Sequence, residues 1–310
     1  MSLARFRSVL LRMLRMPGVS PRTRQAACGR AVVVIAVALI VDCGVASSQA
    51  PIRVMSFNIR YGTAPDGDHV WPNRRALVTS VVLDHAPHVL GVQEALRGQL
   101  DELAPSLPRH RELGVGRDDG RTAGEYTALY IDTVRFRVVD HGTFWFSDTP
   151  SAPGSTSWGN SITRISSWAR LADCAAGDTV RVYNLHWDHE SQPSRERSAR
   201  LLLERLATDG APTDRLIVLG DFNADESNPA FRAVLADSGV ALRSAFRVVH
   251  PSAAVAGTFN AFRGDSTGGM IDHVLVGPRW MVIDADIDRR RFGPLWPSDH
   301  FPVWAIVRRD

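Results

Sequence analysis

Apolar positions recur along this chain in two rhythms. Short β-branched runs bounded by polar or turn residues read as buried strands. Several run into a residue able to do chemistry: Ile52 to Asn58, Val89 to Glu94, Val182 to His186, Leu216 to Asp221 with Asn223 just beyond, Met270 to Asp272, and the stretch Ser298-Asp299-His300. Hairpin-like strands are predicted over 127–131, 135–146, 167–172 and 179–186, and C-terminal strands over 273–276, 281–287 and 301–307. The second rhythm is helical. It predicts helices over Arg74 to His85, stopped by Pro87, over Ser194 to Ala207 with Pro193 near its first turn, and over Asn228 to Ser238, closed by Gly239. Strands in hairpins with a few helices point to an α+β sandwich, two sheets face to face with helices outside. A doubly wound dinucleotide fold would need regular βαβ alternation and a glycine-rich first turn, and neither is present.

The first fifty residues differ from the rest. Seven arginines stand there against Asp42 alone, Ala31 to Val41 is continuously apolar, and small residues follow at Ala46 to Ala50. That order is of a secretory leader. The apolar run falls short of the ~20 residues of a spanning helix. Residues 1–46 are therefore read as a cleaved signal peptide, or else as an uncleaved N-terminal membrane anchor; both export residues 47–310, which suit one large domain. Asp42 ahead of Cys43 disfavours a lipoprotein. The leader contributes +6 to the net charge of +3, so the body carries −3. A mildly acidic body argues against gripping long nucleic acids, whose affinity comes largely from phosphate neutralisation. The chain has no lysine, which excludes Walker-type phosphate loops and Schiff-base chemistry. Cys174 is the one cysteine outside the leader and reads as a small turn residue. The irregular Ser-, Pro- and Gly-rich stretch from Ser147 to Ile165, with Trp158 and Arg164, reads as a loop over the site.

Each candidate has a plain alternative. Asp221 and Asn223 sit two apart, on one side of the chain, and could orient a water and hold a phosphoryl oxygen; alone, they could close a strand as an Asx-turn. Asp299 could bind a metal while His300 faces a phosphate, or the pair could form a surface turn. Asp272 needs a partner if buried, and His300 would serve. Asn58 could be a turn residue, and Glu94 could start a helix. His186-Trp-Asp188-His189 resembles half of a metallo-β-lactamase-type zinc motif, but Asn184 stands where the first histidine belongs. His189 and Asp188 could instead bind substrate or cap the following helix. Asp66-Gly67-Asp68 and Asp118-Asp119-Gly120 read as surface turns.

Taken in order, Asn58, Glu94, Glu125, His186, Asp221, Asn223, Asp272, Asp299 and His300 resemble the endonuclease/exonuclease/phosphatase superfamily. A bacterial subgroup of hydrolases is similar also in Ser56 to Tyr61, Gly124 to Tyr126, Gly142 to Trp145, Arg164 with Trp168 to Arg170, His186 to His189, Gly220 to Asn223 and Pro297 to Pro302. The resemblance covers residues 51–310. It implies a four-layered α/β sandwich, two packed mixed sheets flanked by helices, and a divalent cation, Mg²⁺ or Mn²⁺. It places Asn58, Glu94 and Asp299 at the metal. Asp221 would position the attacking water, Asn223 would hold a phosphoryl oxygen, and His300, oriented by Asp272, would act as base or charged phosphate ligand. His186 would stabilise the transition state, paired with Glu125, and Arg164 would contact substrate. Phosphoryl transfer gathers charge on non-bridging oxygens, so such a set works by positioning and electrostatic stabilisation.

The substrate is less legible. The inositol 5-phosphatase signatures are missing, and so is a lysine-rich DNA-binding surface. The expectation is an exported phosphodiesterase or phosphatase on a small or lipid-derived phosphoester. It would be monomeric and meet a membrane only through the N-terminal segment. An extracellular nuclease is the second reading, and a non-catalytic binding module on the same fold is the third.

Overall fold

Residues alternate along each central strand between two apolar environments. In β1 (Ile52–Asn58), Ile52 and Val54 face one core while Met55 and Phe57 face another. In β7 (Thr179–His186), Val180 and Val182 share the first core while Tyr183 and Leu185 face a third. Strands buried on both faces belong inside a layered sandwich. The computed structural model describes residues 50–208, 215–237 and 239–310. The expected leader lies outside the described residues, and among these no helix is long and apolar enough to cross a membrane.

The remaining elements are α1 (Trp71–His85), β2 (Val89–Ala95), α2 (Arg97–Leu103), β3 (His110–Leu113), β4 (Tyr126–Asp132), β5 (Phe136–Trp145), β6 (Ile165–Asp173), α3 (Gln192–Thr208), β8 (Leu216–Asp221), α4 (Pro229–Ala236), β9 (Arg243–Ser244), α5 (Ala245–Val249), β10 (Asp272–Val276), β11 (Trp280–Ile287) and β12 (Val303–Arg309). They form two six-stranded mixed sheets, ordered β11-β12-β1-β2-β4-β3 and β5-β6-β7-β8-β10-β9. Each sheet has one parallel pair bridged by a helix: β1 and β2 through α1, β7 and β8 through α3. Their C-terminal ends point the same way within each sheet, which gathers Asn58, His186 and Asp221 at strand ends. The inner core joins Val54, Val89 and Val303 of one sheet to Val182, Leu219 and Val274 of the other. Outside, α1 and α2 pack on the first sheet through Val78, Val82 and Leu100; α3 and α4 cover the second through Leu202, Leu206 and Phe231. The sandwich is therefore the four-layered one expected.

The predicted helix and strand ends move by a few residues, and four short elements were not anticipated: α2, β3, β9 and α5. They are too short to carry a period. Asn228 does start its helix, accepting a hydrogen bond from Ala230 N at 2.9 Å. Gly91 marks a close approach of the sheets, since a Cβ there would lie 1.9 Å from Leu219 Cδ1.

Candidate active site

The inner-facing register that buries Ile52, Val54 and Ser56 ends at Asn58; the register of Val180 and Val182 ends at Asn184 and His186; that of Ile217 and Leu219 ends at Asp221; and Asp272 opens the register of Val274 and Val276. Period-two alternation thus carries the apolar inner core upward into a polar cap. Between them lies a layer of two buried amides, Gln93 and Asn184. Gln93 Nε2 donates to Asn184 Oδ1 at 2.6 Å, and Asn184 Nδ2 donates to the carbonyls of Val92 and Ala128. These bonds tie the two sheets together beneath the polar cap.

Glu94 breaks the alternation. The β2–β4 register slips between Val92 and Ala95, and Glu94 takes a left-handed φ of +61°. A bulge re-aims a side chain, and the strained conformation costs about 1–3 kcal/mol in a non-glycine residue. The helix-start reading of Glu94 does not apply, because α2 begins at Arg97 after Leu96. At β8, Gly220 takes φ +143°, and a Cβ there would lie 2.1 Å from Leu185 O. Glycine lets β8 approach β7 closely just before Asp221. From outside, Trp187 and Phe222 pack edge to face at 4.9 Å, and Trp187 N donates to Asp221 O at 3.0 Å, which locks the two strand ends together.

At the mouth is a cavity of about 430 Å³, lined among others by Arg60, Glu94, Arg117, Glu125, Arg164, His186, His189, Asp221, Asn223, Phe259, Asp299 and His300. Asn58 Nδ2 donates to Glu94 Oε1 and Asp221 Oδ2, both at 3.0 Å, while its Oδ1 accepts from Arg60 N. Asn58 thus meets the acids through its NH₂ group and orients them, rather than offering an oxygen ligand. Asp221 Oδ1 accepts from Asn223 N at 2.8 Å, and Asn223 Nδ2 donates to Trp187 O at 3.0 Å. The Asx-turn is therefore present, and both residues still line the cavity. Burial and then the neighbouring Asp272 push Asp221 up to about 7.

His300 Nδ1 lies 2.8 Å from Asp272 Oδ2, as expected of this pair, and His300 Nε2 lies 3.9 Å from Asp221 Oδ2. Burial opposes charge on His300, but Asp272 and Asp221 outweigh it and hold its pKa well above the ordinary imidazole value. His186 is the reverse case. Burial first, then Arg164 and Arg117, press it well below that value, so it is neutral. Arg164 Nη1 donates to His186 Nε2 at 2.8 Å, and its Nη2 donates to His189 Nδ1 at 2.7 Å. The arginine occupies the space between the two imidazoles, which removes them as convergent zinc ligands.

Glu125 forms its ion pair with Arg117, at 2.6 Å, rather than with His186. Burial pushes it up to about 7, with Arg117 opposing. Asp188 does not line the cavity. Its Oδ1 accepts from Glu190 N and Ser191 N, and its Oδ2 lies 3.5 Å from Arg164 Nε, so it forms the turn before α3 and backs the arginine. Asp299 accepts from Ser298 Oγ at 3.2 Å and faces Arg60 Nε at 3.7 Å; burial raises its pKa.

Ligand atoms of Glu94, Asp221 and His300 lie within 4.8 Å of one another. Hard carboxylate oxygens suit a divalent cation, and the upward pKa displacements of Asp221 and Asp299 mark a cluster short of positive charge. The donor set therefore fits such an ion. Arg60, Arg117 and Phe259 escaped the sequence reading. Arg60 follows Asn58 by two and takes φ +58°, and Arg117 adjoins a turn that reads as plain surface. Phe259 reaches the site because its loop pairs with His300.

This fold is that of a phosphoester-hydrolase superfamily. Residues 55–300 match the model of the Endonuclease/Exonuclease/phosphatase family. A family member of known structure from Bacteroides vulgatus is 31% identical, with a TM-score of 0.77, over 84% of this chain and 100% of its own. The mannosyl-6-phosphatase of Bacteroides thetaiotaomicron is 31% identical, with a TM-score of 0.74, over 83% of this chain and 99% of its own. The human Nocturnin catalytic domain, at 19% identity and a TM-score of 0.69 over 84% of this chain and 94% of its own, shares the fold. Comparison with curated protein sequences finds no match. The chain belongs to the endonuclease/exonuclease/phosphatase family.

Proposed function

We propose that this chain is an exported, Mg²⁺-dependent phosphoesterase that hydrolyses a small or lipid-derived phosphoester by attack of water. The observation that carries the reading is one cavity in which Glu94, Asp221 and His300 bring ligand atoms within 4.8 Å of one another. Glu94 and Asp299 would hold the cation, with Asn58 orienting Glu94 through its NH₂ group. When bound, it supplies Lewis-acid stabilisation of phosphoryl oxygens and acidifies water. Asp221, raised to about 7, is placed to orient the attacking water and take its proton. His300, charged against Asp272, neutralises charge on the phosphoryl oxygens. Asn223 adds a hydrogen-bond donor that leaves the site's net charge unchanged, and neutral His186 lines the wall beside Asp221.

A cavity of about 430 Å³ suits a small ester rather than a strip of successive phosphates. The −3 body supports the same preference, and so does the similarity to a mannosyl-6-phosphatase. Export is supported by the basic, apolar, then small order of residues 1–50. The unit would act as a monomer and touch a membrane only through an uncleaved leader. The test is a panel of substrates for the purified protein with Mg²⁺: sugar phosphates, bis-p-nitrophenyl phosphate, sphingomyelin, RNA and plasmid DNA. Preference for a small ester supports the proposal. A much higher kcat/KM on DNA or RNA replaces it with a nuclease, and inactivity on all would favour a binding module.

A further inference from the structure

The mouth of the cavity holds a histidine whose tautomer is fixed by its neighbour. Arg164 is buried and has only donors. Its Nη2 lies 2.7 Å from His189 Nδ1, so that nitrogen accepts and the N–H that the ring offers elsewhere is Nε2–H. The carboxylate facing Nε2, Glu190 Oε1, lies 3.6 Å away and on an exposed side chain, beyond a normal hydrogen bond. His189 therefore presents an uncommitted N–H donor, on a half-exposed side chain, in the wall of the cavity. The same guanidinium donates through Nη1 to His186 Nε2, and that nitrogen is 3.5 Å from Asp221 Oδ2. Arg164 thus spans the distance from the reacting carboxylate to the mouth. A group on the alcohol side of a bound phosphoester, reaching outward past Arg164, would meet His189. Phe259, 46% exposed, packs edge-on against His300 at 5.1 Å and supplies an apolar surface to the same cavity.

We propose that His189, oriented as a donor by Arg164, is a specificity-determining residue that hydrogen-bonds a hydroxyl on the alcohol part of the substrate. The favoured class is then phosphoesters of polyhydroxylated alcohols, such as sugars, rather than esters of apolar alcohols. This rests on the phosphoesterase reading and narrows it. A hydroxyl that meets this donor gains a hydrogen bond that an alcohol lacking it cannot make.

The experiment compares kcat/KM for a hexose 6-phosphate with that for p-nitrophenyl phosphate, whose alcohol has no hydroxyl beyond the ester oxygen. The protein is used as wild type and as His189→Phe, which keeps a planar ring without the donor. His189→Gln, which restores an N–H, is the third form. The ratio of sugar ester to aryl ester is expected to fall about tenfold in His189→Phe, as for one lost hydrogen bond, and to recover in part in His189→Gln. Because the readout is a ratio, a general loss of positioning through Arg164, which slows both esters alike, leaves it unmoved. An unchanged or increased ratio in folded His189→Phe overturns the proposal while leaving the phosphoesterase reading intact. Wild-type protein that hydrolyses neither ester defeats that reading, and the subsite with it.

Discussion

Asp272→Asn isolates the electrostatics of the site with little change of shape. The carboxylate is 1% exposed and lies 2.8 Å from His300 Nδ1 through Oδ2, while its Oδ1 has no hydrogen-bond partner. An asparagine can keep an oxygen on the Nδ1–H and place its NH₂ at the Oδ1 position. What is lost is the negative charge. Removing one partner of a buried charge pair costs about 3–5 kcal/mol, so the pKa of His300 should fall. Its folded pKa is raised in the native protein. The stabilisation it brings is therefore complete below the unfolded value and lost as pH rises through the folded one. Activity that needs charged His300 follows the same sign, so the alkaline limb of kcat against pH should move to lower pH. The assay is kcat from pH 5 to 10 at saturating substrate and metal, with circular dichroism to confirm folding. A folded variant whose alkaline limb stays in place or moves upward would refute the charge pairing described here.

Asp221→Asn and His300→Ala should each lower kcat by about 10²-fold or more with the fold retained; steady-state kinetics on a small phosphoester decides, and near-normal kcat in either contradicts the assigned role. The double variant should lose less than the product of the singles, since both act on one transition state. Glu94→Gln should raise the cation concentration needed for half-maximal activity more than Asn58→Ala does, because Glu94 offers an anionic ligand and Asn58 meets the acids through its NH₂ group; a cation titration with the reverse order would reassign the ligands. Plasmid cleavage, measured beside a small phosphodiester across a salt series, should not show the higher kcat/KM; DNA preferred at low salt and losing its advantage steeply, by about one log unit per log unit of salt for each phosphate gripped, would overturn the substrate ranking.

Much of the site was legible because it continues a simple period. Asn58, His186, Asp221 and Asp272 extend inward-facing registers whose apolar members define the core, so strand patterning alone gathers them at one end. The polar residue at Glu94 was visible, but the left-handed bulge that turns it inward was not, since strand periodicity assigns it the opposite face. The pairing of Glu125 with Arg117, the spacing of two histidines by Arg164 and the approach of Phe259 to His300 depend on which loops meet at the sheet ends. Those contacts join residues from different elements and leave no local pattern. The short α2, β3, β9 and α5 were missed for a related reason: fewer than two helical turns, or a few strand residues, give tertiary packing the deciding vote.

The central claim is that this cavity hydrolyses phosphoesters with a divalent cation. Its most direct test is the rate of phosphate or alcohol release from a small phosphoester by purified protein in Mg²⁺, in excess EDTA, and after Mg²⁺ or Mn²⁺ is restored, with Asp221→Asn run in parallel. Activity in Mg²⁺ that vanishes in EDTA, returns with either cation and is crippled in Asp221→Asn is the predicted result. Turnover that continues undiminished in EDTA, or at the wild-type rate in folded Asp221→Asn, would contradict it.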